Sequence, residues 1–177
     1  MSVRGRIFEL LARQAVSFEE ISHPPVSGCD DSRSYRAAAG WPVASGASSK
    51  CILFHAKERF YLVVTTAGED IKARKFKKEF GTKDIRFATP DEVFQHTGCT
   101  IGSMPPFGVP EAIPIFVDGR IFEKKHFMFN PADPERSIRI ATEAFHNLLA
   151  GLPNPTQVFT LTADGTGALT FTPVSPA

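Results

Sequence analysis

Lys50 stands out by its setting. It opens an apolar run, KCILFHA at 50–56, and period-two alternation places it on the face of Ile52 and Phe54. An ammonium there either snorkels to water from a strand end or is held at a pocket, where it binds phosphate or polarises a carbonyl. Residues 97–108, TGCTIGSMPPFG, combine small residues with two prolines. Such a loop either turns backbone N–H groups toward an oxyanion or carbonyl, or is an ordinary connector. Cys51-x3-His55 and His96-x2-Cys99 offer sulfur and imidazole, but a structural zinc site needs four converging ligands and no Cys-x2-Cys pair exists. No metal is therefore expected. Cys51 reads as an inert core thiol, and the absence of Gly-x-Ser-x-Gly, P-loop and Gly-x-Gly-x-x-Gly motifs removes the usual support for a serine hydrolase or a nucleotide fold. The densest charge run, KARKFKK at 72–78, reads as a solvated helix face. If RNA binds, Lys72, Lys75 and Lys78 are the first candidates for phosphate contacts.

Length and composition bound what these residues can do. A chain of 177 residues suits one domain that buries a core without staples, and 42% hydrophobic with 22% charged residues excludes a disordered or fibrous class. Sixteen Phe against one Trp and two Tyr supply rings for cores and pockets. With 20 basic and 19 acidic residues no global field attracts nucleic acid, so any RNA contact must be local. No run approaches a membrane span and the first 20 residues lack a leader pattern, so the reading is soluble, cytoplasmic and without a membrane partner. Three cysteines argue against a disulfide framework.

Several elements must position the lysine and the loop. Val3, Ile7, Leu10, Leu11 and Gln14 recur at helical spacing and predict an amphipathic helix over 2–15. FEEISH (18–23) predicts a strand stopped by Pro24 and Pro25, after which Asp30 or Asp31 caps a short helix through Ala39. Beyond a loop around Gly40, Pro42 and Gly46, the runs 50–56 and 60–67 predict a central hairpin joined by Lys57, Glu58 and Arg59. Glu69 and Asp70 suit the start of a helix reaching Phe80 and stopped by Gly81. IRFAT, IPIFVDG, HFMFN and SIRIAT read as strands, PDEVFQHTG as a helix with Pro90 in its first turn, and TEAFHNLLAG as a helix ended by Gly151. The tail predicts a hairpin about Asp164-Gly165, with Val158, Thr160 and Thr162 set against Leu169, Phe171 and Pro173. It should pair with a sheet edge of its own domain or of a second subunit, serving stability or self-association and not the chemistry. The fold class is α/β: one domain with a mixed, largely antiparallel, partly barrel-like sheet surrounded by helices, plus the C-terminal hairpin.

Taken in order, HPPVSGCDDS, KCILF, RFATPDEV and TGCTIGSMPPFG resemble the YbaK/prolyl-tRNA-synthetase-associated family of aminoacyl-tRNA editing domains, over about residues 5–150. The resemblance implies an editing domain at 1–151, a hairpin extension at 152–177, and a free-standing, metal-independent hydrolase that deacylates mischarged aminoacyl-tRNA by water attack on the ester. It implies Lys50, Gly102 and Ser103 as catalytic, and His23, Ser27, Met104, Pro105, Pro106, Phe107 and Asn130 as substrate-binding. It implies no covalent nucleophile and no cofactor. The partner is the aminoacylated 3′ end of tRNA, with a synthetase and a second copy of the chain as further candidates. The alternative is a non-catalytic module that keeps the pocket for an aminoacyl or nucleotide ligand. The chain departs from the family pattern at Phe129-Asn130-Pro131-Ala132, where a glycine often follows the asparagine, and in its tail. An activated ester needs mainly positioning, a water and oxyanion stabilisation, which these residue types can supply.

Overall fold

In the computed structural model, which describes residues 1–175, Ser2 caps α1 (Val3–Arg13) by accepting from the Gly5 N–H at 3.1 Å. The helix buries Val3, Ile7, Leu10 and Leu11, and Gln14 follows as its C-cap, where its amide donates to the Leu148 carbonyl. There follow β1 (Phe18–Ser22), α2 (Cys29–Ala38), β2 (Ala47–Ala56), β3 (Arg59–Thr66), β4 (Ile85–Phe87) and α3 (Pro90–Thr97). Then come β5 (Ile115–Asp118), β6 (His126–Phe129), β7 (Arg136–Ala141), α4 (Thr142–Ala150), β8 (Thr156–Leu161) and β9 (Leu169–Pro173). The strands form one mixed sheet in the order β1-β7-β6-β2-β3-β5-β8-β9, with β4 also on β2. Five strand pairs are antiparallel, and β2–β6, β3–β5 and β5–β8 are parallel. No helix of the described residues is long and apolar enough to cross a membrane.

Two hydrophobic clusters divide the interior. The larger one joins α1 and α4 to Leu53, Leu62, Val64, Phe107, Phe127 and Phe129, whereas the smaller gathers Phe54, Tyr61, Phe76, Phe80, Phe116 and Phe159. Alternation along β2 explains the split, since Leu53 faces the first and Phe54 the second.

Four local expectations change. β2 begins at Ala47, not Lys50, because Ala47 and Ser48 pair in parallel with Phe127 and Met128 of β6. Lys50 therefore sits inside the strand. Neither Asp30 nor Asp31 caps α2: Gly28 is the N-cap and makes no side-chain cap, while the Asp31 carboxylate accepts from the Ser27 N–H at 3.0 Å and hydroxyl at 2.7 Å. The helix expected over 69–80 shrinks to a 3-10 turn at Ala73–Phe76. Glu69 is tied to the sheet by Arg120 at 2.6 Å and by Lys50 on its carbonyl, and Lys72 stays extended, so the helical start is lost while Phe76 and Phe80 still reach the second cluster.

The tail pairs with an edge of its own sheet, β8 lying parallel to β5. Its register differs from the predicted facing: Phe159 opposes Phe171 and Leu161 opposes Leu169, while Val158 opposes Thr172 and Thr160 opposes Thr170. Phe159 enters the second cluster, and burial of that ring selects the register. Of the 152–177 extension, residues 176 and 177 lie outside the described residues.

Candidate active site

Beside β2 the sheet has a gap. One side of the strand is paired with β3 throughout Ser49–Ala56, but on the other side β6 pairs only at Ala47 and Ser48, and β4 only from Phe54 to Ala56. Between them, residues 49–52 present an edge with no strand partner among the described residues, and the Leu53 carbonyl accepts from the Ala88 N–H at 2.8 Å. Backbone donors and acceptors along such an edge are free to meet a ligand. A cavity of about 180 Å³ opens there, walled by Ser48, Ser49, Lys50 and Cys51 of β2, by Gly28, Cys29, Ser32 and Arg36 around α2, and by Ile101, Gly102 and Met104 of the glycine-proline loop. Ser27 and Asn130 complete it. An apolar cavity of about 230 Å³ adjoins, lined by Ile52, Leu53, Phe87, Ala88 and Val93, and shares Cys51, Ile101, Gly102 and Met104 with the first.

Helix α3 sets the approach of the loop. Thr89 and Glu92 form a reciprocal capping box at its start, Pro90 fits its first turn, and Gly98 ends it with φ 70°. Arg86 also binds Glu92 and, together with the Thr89 N–H, holds that carboxyl well below the usual range. Gly102 has φ 93°, and a Cβ there would stand 3.4 Å from the Val26 carbonyl oxygen. The loop thus passes close to the chain just before α2, and glycine is the residue that accepts both the angle and the approach.

The cavity brings together Lys50, Gly102, Ser27, Met104 and Asn130 of the sequence-derived set. The Lys50 ammonium donates to the Glu69 carbonyl at 2.9 Å. Ser103 does not line the cavity: its hydroxyl donates to the Thr100 carbonyl at 3.0 Å and shapes the loop from within. Pro105, Pro106 and Phe107 are buried behind the wall, Phe107 packing edge-on against Phe129 at 5.3 Å. His23 also stands behind it, stacked on Tyr35. Lys72 and Lys75 border a different cleft, beside Phe159 and Leu169 of the tail hairpin, and Lys78 is exposed and outside the cavity wall.

The residue that the sequence reading missed is Arg36. It is 1% exposed, yet no carboxylate pairs with it among the described residues. Its Nε donates to Ser137 Oγ and one terminal nitrogen to Asn130 Oδ1, both at 3.0 Å, while the other terminal nitrogen has no partner among the described residues. The Asn130 oxygen is fully used, because Oδ1 also accepts from Ser32, while one of the two Nδ2–H groups donates to the Arg136 carbonyl. Since Ser137 Oγ accepts from Arg36, its hydroxyl proton is free for His23 Nε2, 2.9 Å away, and His23 Nδ1–H then donates to the Pro24 carbonyl. Burial lowers the guanidinium to about 10, which leaves it charged at neutral pH. Desolvation raises the Cys51 thiol well above the ordinary range, so this sulfur is a protonated wall group. Only the faint amphipathic pattern of α2 signalled Arg36, since an arginine on a short helix ordinarily faces water.

Among the described residues, no group of three or more His, Cys, Asp or Glu converges as a metal site. The fold is that of a small editing domain. The aminoacyl-tRNA editing domain family matches residues 23–148, and the chain belongs to it. The multifunctional Ser/Thr-tRNA deacylase ProXp-y of Escherichia coli (strain K12) is 23% identical over 77% of this chain and 82% of its own length. A proline–tRNA ligase of Geobacillus sp. (strain WCH70) is 26% identical over 69% of this chain, a match that spans only 22% of the ligase. A crystal structure described as a proposed trans-editing enzyme for prolyl tRNA synthetase superposes with a TM-score of 0.68 at 20% identity, covering 88% of this chain and 95% of that one, which establishes the shared fold.

Proposed function

We propose that this chain hydrolyses mischarged aminoacyl-tRNA, acting without a metal. The observation that carries the reading is the position of Gly102 at the junction of a polar and an apolar cavity. An aminoacyl-tRNA 3′ end has the same two halves, an amino acid and a terminal adenosine, joined by an ester. With the aminoacyl group beside Arg36 and Asn130 and the adenosine against Phe87 and Val93, the ester carbonyl falls beside the loop. There the backbone N–H groups around Gly102 stabilise the oxyanion, and the free edge of β2 aligns the substrate. Water attacks the carbonyl carbon, the bond to the ribose oxygen breaks, and that oxygen takes up a proton, releasing the free amino acid and tRNA. A vicinal ribose hydroxyl assists the proton transfer. Lys50 anchors the 3′ end with the two N–H donors left beside its bond to Glu69. The names of the two relatives support the substrate class, and the tRNA substrate fits a cytoplasmic location. Docking on a synthetase and pairing of two copies are further parts of this reading.

A panel of mischarged tRNAs tests it. Hydrolysis of at least one acyl class well above the spontaneous rate is the expected result, whereas binding with no hydrolysis of any class would make the chain a binding module.

Lys50→Ala should slow deacylation by roughly 10- to 100-fold, the range for losing a hydrogen bond from a charged group. A variant that melts earlier yet turns over at the wild-type rate would show that Lys50 only ties β2 to Glu69. Chelator should leave the activity unchanged, as should single Cys29→Ser, Cys51→Ser and Cys99→Ser exchanges. Loss with chelator that zinc restores, or inactivation by any one exchange in a folded protein, would overturn the assignment to water and backbone amides.

A further inference from the structure

The guanidinium of Arg36 is a fully buried cation in the cavity wall, and its chemistry is left incomplete by the fold. A buried charge without a counter-charge costs several kcal/mol, and proteins that carry one ordinarily pair it. Here the neighbours are neutral acceptors, Ser137 and Asn130, and one terminal nitrogen has no partner among the described residues. The carboxylate nearest in sequence, Asp31, is engaged by Ser27. The start of α2 borders the same cavity: Gly28, which provides no side-chain cap, and Cys29 line it, whereas the two acidic residues of that turn, Asp30 and Asp31, are outside the lining. Among the lining residues Lys50 and Arg36 are cations and none is a carboxylate, so the missing partner is one that arrives with the ligand.

We propose that Arg36 and the N-terminal turn of α2 form a carboxylate-binding subsite, and that the acyl groups this chain accepts are those with a side-chain carboxylate, the aspartyl and glutamyl class. The assignment rests on the deacylase reading for the ester and on the Arg36 geometry for the anion. A planar guanidinium with a free terminal nitrogen offers a carboxylate paired N–H donors, which a hydroxyl or a methyl group cannot use in full. The same chemistry has a second source, the α-carboxylate released when any aminoacyl ester is hydrolysed. Three small probes separate the sources: N-acetyl-aspartate α-methyl ester bears only the side-chain carboxylate, N-acetylalanine only the α-carboxylate, and N-acetylalanine methyl ester neither.

Nuclear magnetic resonance titration of the whole chain, read at the Arg36 Nε–H signal, should show saturable shifts with the aspartate ester and none with the neutral ester. Arg36→Gln should weaken aspartate-ester binding at least tenfold, and Arg36→Lys should retain part of it. Equal binding of N-acetylalanine would uphold the anion subsite but overturn the side-chain assignment in favour of the product. Indifference of the Arg36 signal to every carboxylate, or unchanged binding in Arg36→Gln, would overturn the proposal. Should Arg36→Gln fail to fold, the wild-type signal alone decides. Binding of the aspartate ester without hydrolysis of any aminoacyl-tRNA would sink the deacylase reading and leave the subsite. Hydrolysis with no preference for acidic acyl groups would leave the deacylase reading and sink the side-chain assignment.

Discussion

Gly102→Val is expected to slow deacylation by roughly 100- to 1000-fold in a protein that still folds, the loss typical of removing one oxyanion donor. The angle and the space at this residue give separate reasons. A φ of 93° is one that β-branched side chains avoid, and forcing it costs about 1–3 kcal/mol or makes the loop turn its amides elsewhere. The Cβ would also stand 3.4 Å from the Val26 carbonyl oxygen, so the added methyl groups must push into the cavity or against the chain before α2. Domains of this kind retain about 5–15 kcal/mol of stability, so a cost of this size leaves the fold populated while the carbonyl site is displaced. Gly102→Ala should fall between, sharing the angle without the branch. The pair is read by single-turnover deacylation together with a thermal melt. A grossly unfolded Gly102→Val would mean that the loop is structural and that its amides are wrongly assigned.

Phe159→Ala carries the largest expected effect on stability. The ring is 2% exposed and packs edge-on against Phe76 at 5.4 Å, within the smaller cluster. Emptying such a site costs about 3–5 kcal/mol, or roughly 6–20 °C in melting temperature for a chain of this size. Leu161, two residues on and 52% exposed, should tolerate the same exchange within about 0.5 kcal/mol. Because the cluster packs against Ile52 and Phe54, while Cys51 and Leu53 of the same strand pack with the larger core, the folded Phe159→Ala protein should deacylate at close to the wild-type rate. Melting unchanged within 2 °C would show that the tail adds no core. Catalysis lost in a folded variant would show that the second cluster holds the active site in shape.

The tail also shows where reading the chain succeeds and where it stops. Alternating apolar residues around Asp164-Gly165 were enough to predict a hairpin, since turn chemistry and period-two patterning are local properties. They could not choose the register, because two alternating strands pair equally well one residue apart until a core selects one face. The run after β3 failed for the same kind of reason. Acidic residues followed by a basic run are helical by local rules, but Arg120 and Lys50 seize Glu69 from elsewhere in the chain and consume the helix start.

What the sequence determined by itself is the set of strands and helices with strong periodicity, the mixed α/β class, and the pairing of a strand lysine with a glycine-proline loop as the place to look. Those are carried by neighbouring residues and survive any arrangement of the rest. The tertiary structure alone decided that β2 exchanges β6 for β4 and leaves an open edge between them, that Gly102 stands where two cavities meet, and that Ser103, Pro105, Pro106 and Phe107 lie behind the wall. It alone decided the burial of Arg36, because Asn130 and Ser137, its partners, are separated from it by 94 and 101 residues. An arginine on a short helix has only a faint local mark of burial; its charge acquires meaning only once distant strands close around it and supply acceptors but no acid.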